Sequence, residues 1–237
     1  MFCFDSVVRY SEMDANNRMT LSALLDLLQD SCIFQSEHIG IGVEFLKKKR
    51  RTWALSFWQA VIKRYPLMGE RIFVYTWPYR YKNFLGYRNF KVEDEQGRLI
   101  AYANSIWTFL DTDSGHPARV PKEIQECYVF EEPYKMDCAS RKIEYPAEME
   151  PKEPIRVGRF HIDTNRHVNN SRYVQMAEEF LPENFVAQEL RAEYKKAAVL
   201  SDMIYPKVQV DGRKITVALE DSKGSAYAVI EFLEEEV

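Results

Sequence analysis

No stretch of this 237-residue chain approaches the roughly 20 consecutive apolar residues that cross a bilayer. Its first residues carry Asp5 and Arg9 instead of a basic head followed by an apolar run. Neither a membrane helix nor an export leader is expected, so the reading is of a cytoplasmic protein with no stable membrane association. Cysteine is sparse: Cys3, Cys32, Cys127 and Cys138 are widely scattered and form no Cys-x-x-Cys pair. That pattern indicates neither a zinc knuckle nor a disulfide framework, and reduced thiols are the simpler expectation. Positive charge is not in excess either. With 32 basic and 36 acidic residues the net charge is −4, which argues against a general nucleic-acid binder.

What is present is core-forming material, 46% apolar and 14% aromatic residues, enough for one large or two small domains. Phe2 to Tyr10 alternates loosely and reads as a strand. Thr20 can cap a helix whose stripe is Leu21, Leu24, Leu25, Leu28 and Cys32, with Gly40 as its stop. A basic run follows, Lys47, Lys48, Lys49, Arg50 and Arg51, which is unusual in an acidic protein. Strands are then expected over 52–63, 71–77, 87–94 and 98–111, with turns marked by Pro66, Gly69 and Glu70 and by Gln96-Gly97. A helix laid across such a meander buries both apolar faces.

From Asp111 to Pro154 six prolines break up regular structure. Order is expected near Val120 to Ile124, Ile143 to Tyr145 can pair at a sheet edge, and the segment should pack over a surface. Past Ile155 the opening pattern returns. Arg9-Tyr10 and then Asp14-x-Asn16-x-Arg18-Met19 echo Arg159-Phe160 and then Asp163-x-Asn165-x-His167-Val168, so the chain reads as a duplication. Strands follow at 186–194, 202–210, 213–221 and 225–234, with Asp211-Gly212 as a hairpin signal.

The second copy concentrates the chemistry. Asp163, Asn165 and His167 alternate, and in an extended segment they would share one face. Asn169 and Asn170 are favoured caps for a helix whose stripe is Tyr173, Met176, Ala177 and Phe180, ended by Pro182. An acid, an amide and an imidazole would then meet a helix N-terminus able to hold an oxyanion. On spacing alone, ordinary capping chemistry explains the same residues. A metal set of His161, Asp163 and His167 lacks further ligands, so no metal site is expected. In the first copy Arg18 replaces His167, and a guanidinium cannot act as a base.

The run Asp163-Thr164-Asn165-Arg166-His167-Val168-Asn169-Asn170-Ser171-Arg172-Tyr173 resembles the signature of the fatty acyl-ACP thioesterases. Tyr65-Pro66-x-x-Gly69-Glu70 before Thr76-Trp77, and Ala103 to Phe109 before Pro121, resemble that family too. The resemblance implies an α+β tandem double hot-dog: residues 1–130 as an acyl-chain-binding domain, 131–154 as a linker, and 155–237 as a catalytic domain. It implies hydrolysis of fatty acyl-ACP without a cofactor, with acyl carrier protein as the partner. In that reading His167 draws a proton from water and Asp163 orients it, or Asp163 attacks directly. Asn165 and the helix start around Asn169 and Asn170 bind the carbonyl oxygen, and the Lys47 to Arg51 run docks the acidic carrier.

Residues such as Leu25, Leu28, Trp53, Phe57 and Trp58 would line an alkyl tunnel or serve as plain core. A duplicated hot dog supplies its own pairing, so a monomer or loose homodimer is expected. One departure stands out: plant members place Glu-Cys after a Glu-Tyr-basic-basic run, whereas Glu193-Tyr194-Lys195-Lys196 leads here to Ala197-Ala198. A non-catalytic acyl-ACP binder and a hot-dog enoyl-thioester hydratase therefore stay open as alternatives.

Overall fold

The computed structural model describes residues 1–234, and the chain divides into two compact units. One comprises Met1–Ser56 with Ile62–Cys138, and the other Phe57–Val61 with the residues from Ala139 onward.

In the first unit β1 (Phe2–Val7), β3 (Arg71–Lys82), β4 (Leu85–Asp94) and β5 (Leu99–Asp111) form antiparallel pairs in the order β1-β3-β4-β5, and β2 (Arg51–Ile62), whose residues 57–61 belong to the second unit, follows β5 in the sheet. Helix α1 (Leu21–His38) lies on this sheet because its apolar residues recur at helical spacing. Leu21, Leu24, Leu25, Leu28 and Cys32 are all buried as the stripe predicts. Its N-terminus is fixed by Thr20, whose Oγ1 accepts the Ala23 N–H at 3.2 Å. Ile41, Phe109, Val120, Ile124 and Tyr128 form a buried cluster that takes in Ile124 of α3 (Lys122–Gln125). The order expected near Val120 to Ile124 is thus present.

The second unit repeats the plan with a shorter helix. Strands β8 (Glu189–Tyr194), β9 (Met203–Asp211), β10 (Lys214–Glu220) and β11 (Ala226–Leu233) run in the order β8-β11-β10-β9, and residues 57–61 of β2 pair with β8. Helix α4 (Asn170–Glu178) buries Ser171, Tyr173, Val174, Met176 and Ala177 against them. The Asp211-Gly212 signal marks a two-residue connection, with Asp211 opposite Lys214. The expected arrangement of a helix across an antiparallel sheet is therefore present in each unit.

Three local expectations need correction. The first strand stops at Val7, because Val8 donates to Glu70 O and the Arg9 N–H is captured by the Glu12 carboxylate at 2.8 Å, which closes a short 3-10 turn. The basic run is shared between two elements. Lys47 and Lys48 end a helix, α2 (Val43–Lys48), and Arg51 opens β2.

Ile143 to Tyr145 forms no strand. Ile143 is buried with Ala226 and Val229, and its N–H goes to the Glu193 carboxylate at 3.1 Å. The sheet edge is instead paired by β6 (Glu150–Pro151) and β7 (Ile155–Arg156), both on β9. Lastly, Phe180 falls beyond the end of α4, its N–H donating to Ala177 O in a closing turn.

Of the residues offered for a tunnel, Leu25, Leu28, Phe57 and Trp58 are buried. Trp53 packs on Phe109 and Tyr81 in the α3 cluster. Among the described residues no helix is long and apolar enough to cross a membrane.

Candidate active site

The segment entering α4 is not extended. Gly158 to Ile162 forms a 3-10 turn, Ile162 bridges Val168, and the five residues from Asp163 to His167 make a tight turn between them. The Asp163 N–H donates to His167 O at 2.8 Å, and the Arg166 N–H to Asp163 O at 3.0 Å. The Asp163 carboxylate closes the loop from inside, Oδ1 accepting the N–H of Asn165 at 2.7 Å and that of His167 at 3.4 Å. Asn165 Nδ2 reaches Asp163 Oδ2 at 3.4 Å. The Asp163 and Asn165 side chains meet in a turn instead of on a shared strand face, and His167 joins them through its backbone N–H. His167 and Asn165 are exposed at the rim of the turn.

Behind this turn the scaffold is dense. Val168 donates to Ala198 O and Asn169 to His161 O, each at 2.9 Å. The Ala198 N–H is held by the Tyr173 hydroxyl at 2.7 Å, and the Tyr194 hydroxyl donates to Asn170 O at 3.0 Å. Tyr173 is buried, and burial drives its phenol well above the ordinary tyrosine range. Sequence reading placed Tyr173 on an apolar stripe and at the end of the signature run but gave its hydroxyl no partner, because helical spacing does not reveal what a hydroxyl at the stripe's edge will bind.

Asn169 caps α4 as predicted: its Oδ1 accepts the N–H of Ser171 at 2.9 Å and the Ser171 hydroxyl at 3.1 Å. That commits two of the donors expected to hold an oxyanion, since the Asn169 and Ser171 N–H groups both donate within the protein.

His161 is 7% exposed, and its Nδ1 accepts the Gly158 N–H at 2.9 Å. It is thereby a structural element of the approach turn. Among the described residues no three His, Cys, Asp or Glu side chains are gathered closely enough to hold a metal ion. All four cysteines are unpaired, and only Cys32 is buried.

The positions where Glu-Cys was looked for, Ala197 and Ala198, lie in the loop that accepts Val168. Ala198 is fully buried and Ala197 exposed. Four of the five residues of the basic run pair with acidic side chains. Lys47 pairs with Glu44, Lys49 with Glu123, Arg50 with Asp113 at 2.7 Å, and Arg51 with Asp111.

The first unit builds the same turn. Asp14 donates to Arg18 O at 2.8 Å, and its Oδ1 accepts the N–H groups of Asn16 at 2.8 Å and Arg18 at 2.9 Å. Thr20 donates to Glu12 O as Asn169 does to His161 O, and Met19 to Pro66 O as Val168 does to Ala198 O. The correspondence puts Arg9 opposite Gly158 and Tyr10 opposite Arg159, one residue from the pairing suggested by the repeated Arg-aromatic dipeptide.

Comparison with known proteins follows this duplication. The acyl-ACP thioesterase N-terminal domain model matches residues 3–128, and the acyl-ACP thioesterase C-terminal domain model matches residues 144–230. A chloroplastic acyl-[acyl-carrier-protein] hydrolase of Cuphea viscosissima is 24% identical over 221 residues, covering 83% of this chain and 52% of that protein. The chloroplastic oleoyl-acyl carrier protein thioesterase 1 of Arabidopsis thaliana is 22% identical over 219 residues, covering 84% and 60%. The chain thus spans about half the length of the curated relatives it matches.

Among solved structures, an acyl-ACP thioesterase from Bacteroides thetaiotaomicron superposes with a TM-score of 0.90 at 23% identity, over 98% of this chain and 97% of that one. The 12:0-ACP thioesterase from Umbellularia californica gives 0.84 at 18%, over 98% and 96%. At these identities the likeness shows the double hot-dog fold.

Proposed function

The chain belongs to the acyl-ACP thioesterase family, and we propose that it hydrolyses the thioester of a fatty acyl-acyl carrier protein. Water attacks the thioester carbonyl while the His167 imidazole takes its proton. The tetrahedral intermediate then collapses, the C–S bond breaks, and the departing thiolate takes the proton back from the imidazolium. The products are a free fatty acid and the carrier's thiol.

The observation that carries this reading is the contrast between the two turns. The second unit, in the segment matched by the C-terminal domain model, has Asp163, Asn165 and His167. The first unit has the same turn with Arg18 in place of the base. Asn165, exposed beside His167, is assigned to the substrate carbonyl or the attacking water. The Asp163 Oδ1, already accepting two backbone N–H groups, suits an orienting role better than direct attack.

The test is thiol release from a panel of acyl-ACP substrates of short to long chain, with wild type beside His167→Ala and enoyl-ACP hydration read in the same samples. Wild-type release falling by about 10² to 10⁴-fold in the variant is expected, the usual range for a general base. Acyl-ACP binding without release would favour a non-catalytic binder, a reading that Ala197 and Ala198 would accommodate. Hydration without release would favour a hydratase.

A further inference from the structure

The two approach turns differ at one buried position whose chemistry depends on pH. In the first unit the turn is closed by Glu12, which accepts the Arg9 N–H and pairs with the Arg9 side chain at 2.6 Å. In the second unit the acceptor is His161 Nδ1, bonded to the Gly158 N–H. A nitrogen that accepts a hydrogen bond carries no proton, so the geometry fixes the neutral imidazole with its hydrogen on Nε2. Protonation would set an N–H against an N–H inside the turn.

We propose that His161 is a positioning residue for the hydrolysis assigned above, holding the Asp163–His167 turn in place only while its own imidazole is neutral. The inference rests on that assignment for its effect on rate, though not for its effect on structure.

The coupling is short. His161 O accepts the Asn169 N–H at 2.9 Å, fixing the start of α4, and the next residue, Ile162, bridges Val168 across the base of the catalytic turn. The ring is covered by Phe160, with centroids 3.8 Å apart. Burial pushes its pKa below the ordinary imidazole value, and the charge facing it, Arg172 on α4, acts in the same direction. A group depressed in the folded state contributes stability that is complete above its unfolded value of about 6.5 and is lost as pH falls through the folded value.

His161→Gln tests the idea, since the amide oxygen can accept from Gly158 at every pH, as Gln does in a capping box. At pH 8 the variant should hydrolyse acyl-ACP within about threefold of wild type, because both caps are then acceptors. Below neutrality wild type should lose activity with one more proton than the variant, a difference of about tenfold per pH unit once His161 is titrating.

Nitrogen-15 NMR of wild type at pH 8 should show His161 unprotonated at Nδ1. An Nδ1–H tautomer, or acid limbs that coincide in the two proteins, would overturn the proposal. If neither protein hydrolyses any thioester, the functional assignment has failed and melting temperature decides alone. A drop between pH 8 and pH 5.5 that is larger in wild type by several degrees supports the cap, and equal drops overturn it.

Discussion

The turn over residues 9–20 and the turn over 158–169 are the same object with different side chains. Each has an Asp whose carboxylate accepts the backbone N–H groups two and four residues on. Two hairpins repeat the device. Asp94 accepts from Gln96 and Arg98 at 3.0 and 2.9 Å, and Asp221 from Lys223 and Ser225 at 2.8 and 2.9 Å. In all four, the Asp N–H donates to the carbonyl of the residue four positions on, the fifth of the turn.

The Asp of the signature is therefore required by the backbone wherever this turn occurs, with or without chemistry. Asn and His are not, since Gln96 and Lys223 fill the Asn position, and Arg18, Arg98 and Ser225 fill the His position. His167 is what the second turn has that the others lack.

The strongest way to break the comparison is to erase the difference that carries the chemistry. His167→Arg converts the second turn to the composition of the first at that position, and since Arg18 occupies an equivalent backbone site, folding should be unaffected. Thiol release should drop by about 10² to 10⁴-fold with an unchanged melting temperature. Residual turnover near wild type would move the chemistry elsewhere.

Next in size is the Asp itself. Asp163→Ala and Asp14→Ala each remove an acceptor for two backbone donors, and each should cost about 1–2 kcal/mol in urea unfolding. Asp163→Asn keeps an acceptor of the same shape. It should hold stability, and it should hold the hydrolysis rate within about tenfold if the carboxylate's main task is the turn. A loss as deep as that of His167→Arg would restore Asp163 to the reaction as nucleophile or essential orienter.

Much of this was legible beforehand. The Thr20 cap, the leucine stripe of α1 and the Asp211-Gly212 hairpin follow from local rules that tertiary packing did not overturn, whereas the expected meander holds only from β3 to β5, since β2 lies beside β5 and β3 beside β1. The site residues were legible as a set but not as a shape. Alternate positions carry meaning both in a strand, where they share a face, and in an Asp turn, where the second and fourth N–H groups reach one carboxylate. Three polar residues cannot separate the two.

Helix α2 was hidden because its last turn is the basic run, which reads as solvated charge, although cations suit a helix C-terminus. His161 as a cap was invisible, since capping arguments look for Ser, Thr, Asp or Asn. The one-residue slip in the echo came from trusting Arg-aromatic pairs that lie on the exposed side of both turns, where Tyr10 and Phe160 are 82% and 76% exposed.

Acid sharpens the comparison from the hairpin side. Burial alone would raise the Asp94 pKa, but hydrogen bonds from the Arg98 backbone and side chain and from Arg64 hold it at about 2. Asp221 is held at about 2 first by Lys196 and then by the Ser225 N–H. Both lie below the ordinary aspartate value of about 3.9, so the stability they contribute is complete above that value and is lost as pH falls through about 2. Urea midpoints should fall between pH 4 and pH 2, and Asp94→Asn or Asp221→Asn should each flatten that slope. A slope unchanged in both variants would show that these carboxylates are not held by their turns.

The smallest effect concerns the fourth residue of each turn, which sits in the left-handed region: Asn17 at φ 57°, Gly97 at 73°, Arg166 at 64° and Gly224 at 76°. The hairpins meet this demand with glycine and the first approach turn with asparagine, the side chain that tolerates it best. The second approach turn uses arginine, which pays the steric penalty in full. Arg166→Gly removes about 1–2 kcal/mol of strain and adds about 0.5–1 kcal/mol of unfolded-state entropy, so a net gain of about 0.5–1 kcal/mol in urea unfolding is expected. Asn17→Gly should gain less. If Arg166→Gly destabilises instead, the guanidinium is making contacts that outweigh the strain. If it stabilises while slowing hydrolysis, the strain next to His167 is retained for function, and the two turns differ in backbone energy as well as in side chains.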